Sequence, residues 1–174
     1  GDGSQGCHTP KGYRMALHGH VQTNKIKYMA PFVSLIHAVD SFRLLREIDK
    51  HAARNNRTID CLLQIHIAQE ETKYGLTKDE CRQLLANEPW RELQHVRIVG
   101  LMAMGSNTDD TAQIRSEFHQ IKQLFDELKE CYFPDTPTFC QISEGMTDDY
   151  PIAIAEGSTI VRIGSMIFGE RQTT

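Results

Sequence analysis

The sequence predicts an α/β protein built on a parallel sheet, and three observations carry that expectation. Short runs rich in Val, Ile and Leu alternate along the 174 residues with segments of helical periodicity. The runs are near-continuously apolar instead of strictly alternating, as strands covered on both faces are. The order is strand, helix, strand, helix throughout, which makes neighbouring strands parallel and puts the helices outside them. Six such strand candidates are present. A closed (β/α)8 barrel needs eight strands and typically ~250 residues. The chain therefore reads as six units of such a barrel, or as an open doubly wound sheet.

The elements follow in order. Residues 1–14 are polar and Gly-rich and read as an unstructured leader, so the folded domain is expected over 15–174. Met15–His18 is the first strand and Val21–Met29 a short helical stretch. Val33–Val39 is the second strand. Ser41 caps a helix running to about Asn55, with Leu44, Leu45, Ile48 and Ala52 on one face. Ile59–Ile67 is the third strand. Thr77 opens a helix to about Ala86, with Glu80 three residues on as a capping box. Val96–Met102 is the fourth strand. Asp109–Glu130 is the longest helix, with Ile114, Phe118, Ile121, Phe125 and Leu128 at helical spacing. Thr138–Ile142 and Thr159–Ile163 are the last strands, with a short helix Tyr150–Glu156 between them.

Composition narrows the function classes. A net charge of −4 with no basic face argues against nucleic acid as a partner. No apolar run approaches the ~20 residues of a membrane helix, and the amino terminus has no signal-peptide pattern. The five cysteines, Cys7, Cys61, Cys81, Cys131 and Cys140, form an odd set without a C-x-x-C pair. Cys61 and Cys140 lie in apolar strands and read as core thiols, which favours a reducing cytosol. No Walker loop, nucleophile elbow or G-x-G-x-x-G follows a strand.

Ligands of parallel α/β proteins bind at the carboxyl ends of strands. The polar residues expected there are His18, His20, His37, Asp40, His66, Gln69, Glu70, Gly105, Ser106 and Asn107. Two stretches stand out. The last strand carries Arg162 and runs into Gly164-Ser165. A cation inside an apolar strand needs a fixed partner, and a Gly-Ser turn leaves backbone N–H groups free for an anion. The bland alternative is an edge strand whose arginine reaches water. The second stretch, Ile142-Ser-Glu-Gly-Met-Thr-Asp-Asp149, has hydroxyls, a glycine and a helix start in phosphate-cup order. Alternatively Thr147 or Asp148 only caps a helix. His18-x-His20 with His37 and His66 could hold zinc, but no carboxylate at the last strand would activate a metal-bound water. Lys73 reads as a solvated loop lysine.

Six segments together resemble one family. They are Gly19-His-Val-Gln-Thr-Asn-Lys-Ile-Lys27, Leu35-Ile-His-Ala-Val-Asp-Ser41, Leu63–Gly75, Val99-Gly-Leu-Met-Ala-Met104, Ser143–Asp149 and Glu156–Arg171. The family is that of pyridoxal phosphate homeostasis proteins, whose fold is similar to the N-terminal (β/α)8 barrel of alanine racemase. The resemblance implies binding of pyridoxal 5′-phosphate (PLP) and a role in vitamin B6 homeostasis without catalysis, with protein partners unknown. Ser143, Gly145 and Thr147 match the family's phosphate loop, with Thr147 replacing a serine. Gly164 and Ser165 match a second phosphate turn, and Arg162 matches the arginine that addresses the pyridine nitrogen.

Three departures shape the expectation. The family's Schiff-base lysine lies on a first strand that this sequence does not contain, so the barrel is expected to be incomplete and PLP binding non-covalent. Met15-Ala-Leu-His18 stands where the family tends to show a Trp-His pair. Glu144 replaces a loop methionine, and a carboxylate there would repel a phosphate unless it points outward. An alanine-racemase-like enzyme and a metal-dependent barrel hydrolase are the alternatives.

Overall fold

The computed structural model describes residues 15–71 and 74–163. The leader 1–14, Lys73, Gly164 and Ser165 lie outside them. Six strands form one sheet in the order β1 to β6: Met15–Leu17, Val33–Val39, Ile59–Ile65, Val96–Ala103, Gln141–Met146 and Ile160–Arg162. Every neighbouring pair is parallel. This order decides between the two architectures that the sequence leaves open. A doubly wound sheet reverses its strand order at a switch point, whereas here each strand lies beside the one before it. That is the winding of a barrel. The sheet also curls. In a flat sheet β2 and β5 would be about 14 Å apart, at roughly 4.8 Å per strand, yet His37 on β2 and Ser143 on β5 are within a 2.9 Å hydrogen bond.

The helices are α1 (Ile26–Met29), α2 (Phe42–Arg54), α3 (Lys78–Asn87), α4 (Thr111–Tyr132) and α5 (Tyr150–Ala155). Their starts follow local chemistry. The Ser41 hydroxyl accepts from the Leu44 N–H, and the Thr77 hydroxyl from the Glu80 N–H. Asp110 caps α4 by accepting from the Ala112 and Gln113 N–H groups. Each cap satisfies donors that the first helical turn leaves orphaned. The Val21–Met29 stretch divides into a 3-10 turn, Thr23–Lys25, followed by α1. Among the described residues no helix is long and apolar enough to cross a membrane.

The core splits by the pleat. Cys61 is in register with Ile98, Leu63 with Leu101 and Ile65 with Ala103, while Leu101 neighbours Ile142. All of these belong to the main core beneath the helices, with Leu45 and Ile48 of α2 fully buried against it. Burial of a side chain of that size contributes about 2 kcal/mol. The intervening residues Leu62, Val99 and Met102 form a smaller cluster with Leu35 and Met104. It lies on the inner face of the curl, because successive strand residues point to opposite faces.

Two expectations need correction. The fifth strand is Gln141–Met146, not Thr138–Ile142. Phe139 belongs instead to an aromatic stack, with ring centroids 4.8 Å from Phe125 and 4.1 Å from Phe133, and its backbone takes part in a turn to Thr136. Ser143 and Gly145 therefore lie within a strand, not after it. Cys140 is half-buried and disulfide-bonded, so it is not the core thiol expected. Cys61 and Cys81 are buried free thiols and Cys131 is an exposed one.

Candidate functional site

Arg162 organises the inner face. It stands on β6 and its guanidinium crosses β5 to reach β4. Nη1 donates to the Ser143 hydroxyl at 2.8 Å and to the Ser143 carbonyl at 3.2 Å, while Nη2 donates to the Ala103 carbonyl at 3.0 Å. All three acceptors are neutral. A guanidinium has five N–H donors, so the Nε–H and one Nη2–H have no acceptor among the described residues. No carboxylate is within ion-pair distance of it there. Burial lowers its pKa, opposed by the more distant charge of Asp149, but an arginine keeps its proton in proteins. The snorkelling alternative therefore fails, and the cation is directed inward.

Two imidazoles face the same space. His37 Nδ1 is 2.9 Å from the Ser143 hydroxyl, and its ring centroid is 4.1 Å from that of His18. Burial, then His18 and Arg162, push the pKa of His37 down to about 3. Burial and Arg162 lower that of His18 as well. Both rings are uncharged at neutral pH. The inner face thus presents one fixed cation, two neutral rings and a serine.

The residues singled out in the sequence divide. Ser143 is fully buried and its hydroxyl is engaged by Arg162 and His37. Gly145 has φ +99° and packs on α5, where a Cβ would lie 2.7 Å from that of Ala153. Only a residue without a side chain lets the helix approach so closely. Thr147 is half-buried in the turn between β5 and α5. Asp149, at the start of α5, does not cap it with its side chain; the carboxylate accepts from the Met146 N–H at 2.6 Å and closes that turn. Thr147 and Asp148 do not take the capping position. Gly164 and Ser165 lie outside the described residues.

The repulsion expected of Glu144 is met by burial and not by exposure to water. The side chain does not point outward to water: it is fully buried, and neither carboxyl oxygen has a hydrogen-bond partner among the described residues. Burial raises its pKa to about 9, against a smaller opposing effect of Arg162. It is therefore protonated at neutral pH and does not repel an anion. As the strand neighbour of Ser143 it points to the opposite, helix-bearing face.

Other polar residues at the strand ends tie the loops together. The Ser106 hydroxyl accepts from the Gln69 N–H and donates to the buried Glu117 carboxylate, and Glu70 accepts from the Asn107 N–H. His20 stacks on Tyr74 at 4.3 Å, apart from the His18–His37 pair. Beside it, at the carboxyl ends of β1 and β2, is an open recess of about 610 Å³ lined by residues including Asn24, Asp40 and Arg43. The sequence did not expose the Arg162–Ser143–His37 connection. Its members are separated by up to 125 positions (162 − 37), and only the curl of the sheet brings them together.

Comparison with known proteins shows related sequences and a shared fold. The alanine racemase N-terminal domain model matches residues 8–172. The chain is 39% identical over 154 residues to a pyridoxal phosphate homeostasis protein of Aquifex aeolicus, covering 88% of this chain and 65% of that one. The homonymous protein of Helicobacter pylori is 33% identical over 164 residues, covering 94% and 69%. The chain thus spans about two thirds of the length of these relatives. Among solved structures, PipY of Synechococcus elongatus with PLP bound superposes with a TM-score of 0.78 at 30% identity, over 90% of this chain and 70% of that one.

Proposed function

The chain belongs to the pyridoxal phosphate homeostasis protein family, with the fold of the alanine racemase N-terminal domain, and from that premise we propose that it binds PLP non-covalently as a carrier or regulator of the intracellular vitamin B6 pool. The observation that carries this reading is Arg162: a half-buried cation held in place by neutral acceptors only, with two donors still unmatched among the described residues.

The residues present fit the cofactor. Arg162 would donate to the pyridine nitrogen. A cation there would disfavour protonation of that nitrogen, so the ring would be a weak electron sink. That suits a carrier more than a general catalyst. Ser143 contributes by fixing the guanidinium. Thr147, with Gly164 and Ser165, would take the phosphate, and the neutral Glu144 leaves its charge unopposed. The narrow approach of α5 at Gly145 supports the Thr147 turn. When bound, PLP supplies an aldehyde that condenses reversibly with amines.

A PLP titration followed by absorbance and thermal melting tests the reading. The expected result is a shifted cofactor band and a raised melting temperature in the wild type, with affinity reduced at least tenfold in Arg162→Ala, about 1.4 kcal/mol. Equal affinity in the two proteins would overturn it, and a borohydride-stable adduct would overturn the non-covalent mode. Absence of D/L-alanine interconversion by the PLP-loaded protein is the matching expectation for a non-catalyst. We also propose a cytosolic location, supported by the free thiols Cys61, Cys81 and Cys131 and opposed by the disulfide at Cys140; cell fractionation tests it.

A further inference from the structure

Ser143 is fully buried and has a single hydroxyl proton. Arg162 is a donor only, so at the Ser143 oxygen the guanidinium donates and the oxygen accepts. The proton of the hydroxyl must then go elsewhere, because a buried O–H left unmatched is strongly disfavoured. The partner within reach is His37 Nδ1 at 2.9 Å. If that nitrogen accepts, it carries no proton, and the neutral ring keeps its proton on Nε2. The tilted contact with His18 at 4.1 Å holds the ring plane. A directed chain results, running from Arg162 to Ser143 to His37 across β6, β5 and β2.

We propose that His37 is a positioning residue for Arg162: as a proton acceptor at Nδ1 it fixes the Ser143 hydroxyl, and the hydroxyl fixes the guanidinium toward the ligand. The role rests on the PLP reading for its purpose but not for its geometry. Without the imidazole the hydroxyl is free to turn, and in turning its proton toward Arg162 it would present a donor to a donor. The guanidinium then loses one of its three anchors. The curl of the sheet makes this connection from a distant strand, so β2 contributes to the site through Ser143.

Two measurements on the full chain test this. The first is the ¹⁵N spectrum of the histidine side chains without PLP. It should show His37 as a neutral ring protonated at Nε2, and Ser143→Ala should release that preference. A ring protonated at Nδ1 in the wild type would overturn the inference before any cofactor is added. The second is PLP titration of His37→Leu and His37→Asn beside Arg162→Ala. An asparagine places a carbonyl oxygen near the position of Nδ1 and can accept the same proton. His37→Leu should bind PLP about tenfold more weakly and shift the bound absorbance band, with His37→Asn within about threefold of wild type. A purely structural role would move melting temperature without restoring affinity in the asparagine variant. Wild-type affinity in His37→Leu beside a weakened Arg162→Ala would overturn the role of His37 alone. Wild-type affinity in Arg162→Ala would overturn the cofactor reading and the purpose of His37 with it.

Discussion

Replacing Glu144 with glutamine should make the protein more stable at neutral pH, and by an amount that depends on pH. Glu144 is fully buried with neither oxygen bonded among the described residues, and burial raises its pKa from 4.5 to about 9. Between those values the unfolded chain releases the proton while the folded chain keeps it. The folded state then binds more protons, so stability falls as pH rises. The slope is about 1.4 kcal/mol per pH unit for one group. From 4.5 to pH 7 the loss is on the order of 3 kcal/mol, and it approaches its full value only near pH 9. Glutamine has nearly the same shape and cannot ionise. Urea unfolding of both proteins at pH 5, 7 and 8.5 reads the difference directly. The two should be similar at pH 5, with the variant progressively more stable above it. A constant difference across that range would refute the reasoning, since it would mean that Glu144 ionises alike in both states or finds a partner.

Other expectations follow from single contacts. Gly145→Ala places a Cβ 2.7 Å from that of Ala153 at φ +99°; strain and overpacking together should lower stability by about 2–4 kcal/mol, read by thermal or urea unfolding. Native alkylation at pH 8 with peptide mapping should label the exposed Cys131. It should spare Cys61 and Cys81, whose thiols burial raises, that of Cys81 to about 12. Cys140 should react only after reduction. Labelling of Cys81 at a rate near that of Cys131 would show that the α3 layer opens readily.

Local signals were legible where the deciding forces are local. Ser41 and Thr77 cap helices because a hydroxyl one residue before the first turn reaches an orphaned N–H wherever the helix later packs. The stripe Leu44, Leu45, Ile48 and Ala52 is buried as its spacing implies. The start of the fifth strand was misplaced because Thr138 to Cys140 is apolar enough for a strand. Its central residue is instead claimed by a stack of rings from α4 and the turn after it. Apolar character alone does not distinguish burial under helices from pairing in a sheet. The protonation of Glu144 is not legible in the sequence for a related reason. Its pattern position was visible, but its protonation depends on desolvation by elements distant in sequence.

The sequence alone determined the class of fold, the order of its elements and the family, because hydrophobic period, capping residues and motif spacing are properties of short segments. It also marked Arg162 as a cation needing a partner. Only the tertiary structure decided that the sheet winds in one direction and curls. That curl turns residues 37, 143 and 162 into one hydrogen-bonded chain and gives the arginine neutral anchors instead of a carboxylate. Contacts across a curled sheet depend on strand order and register, and those are settled by the packing of the whole chain, not by any segment within it.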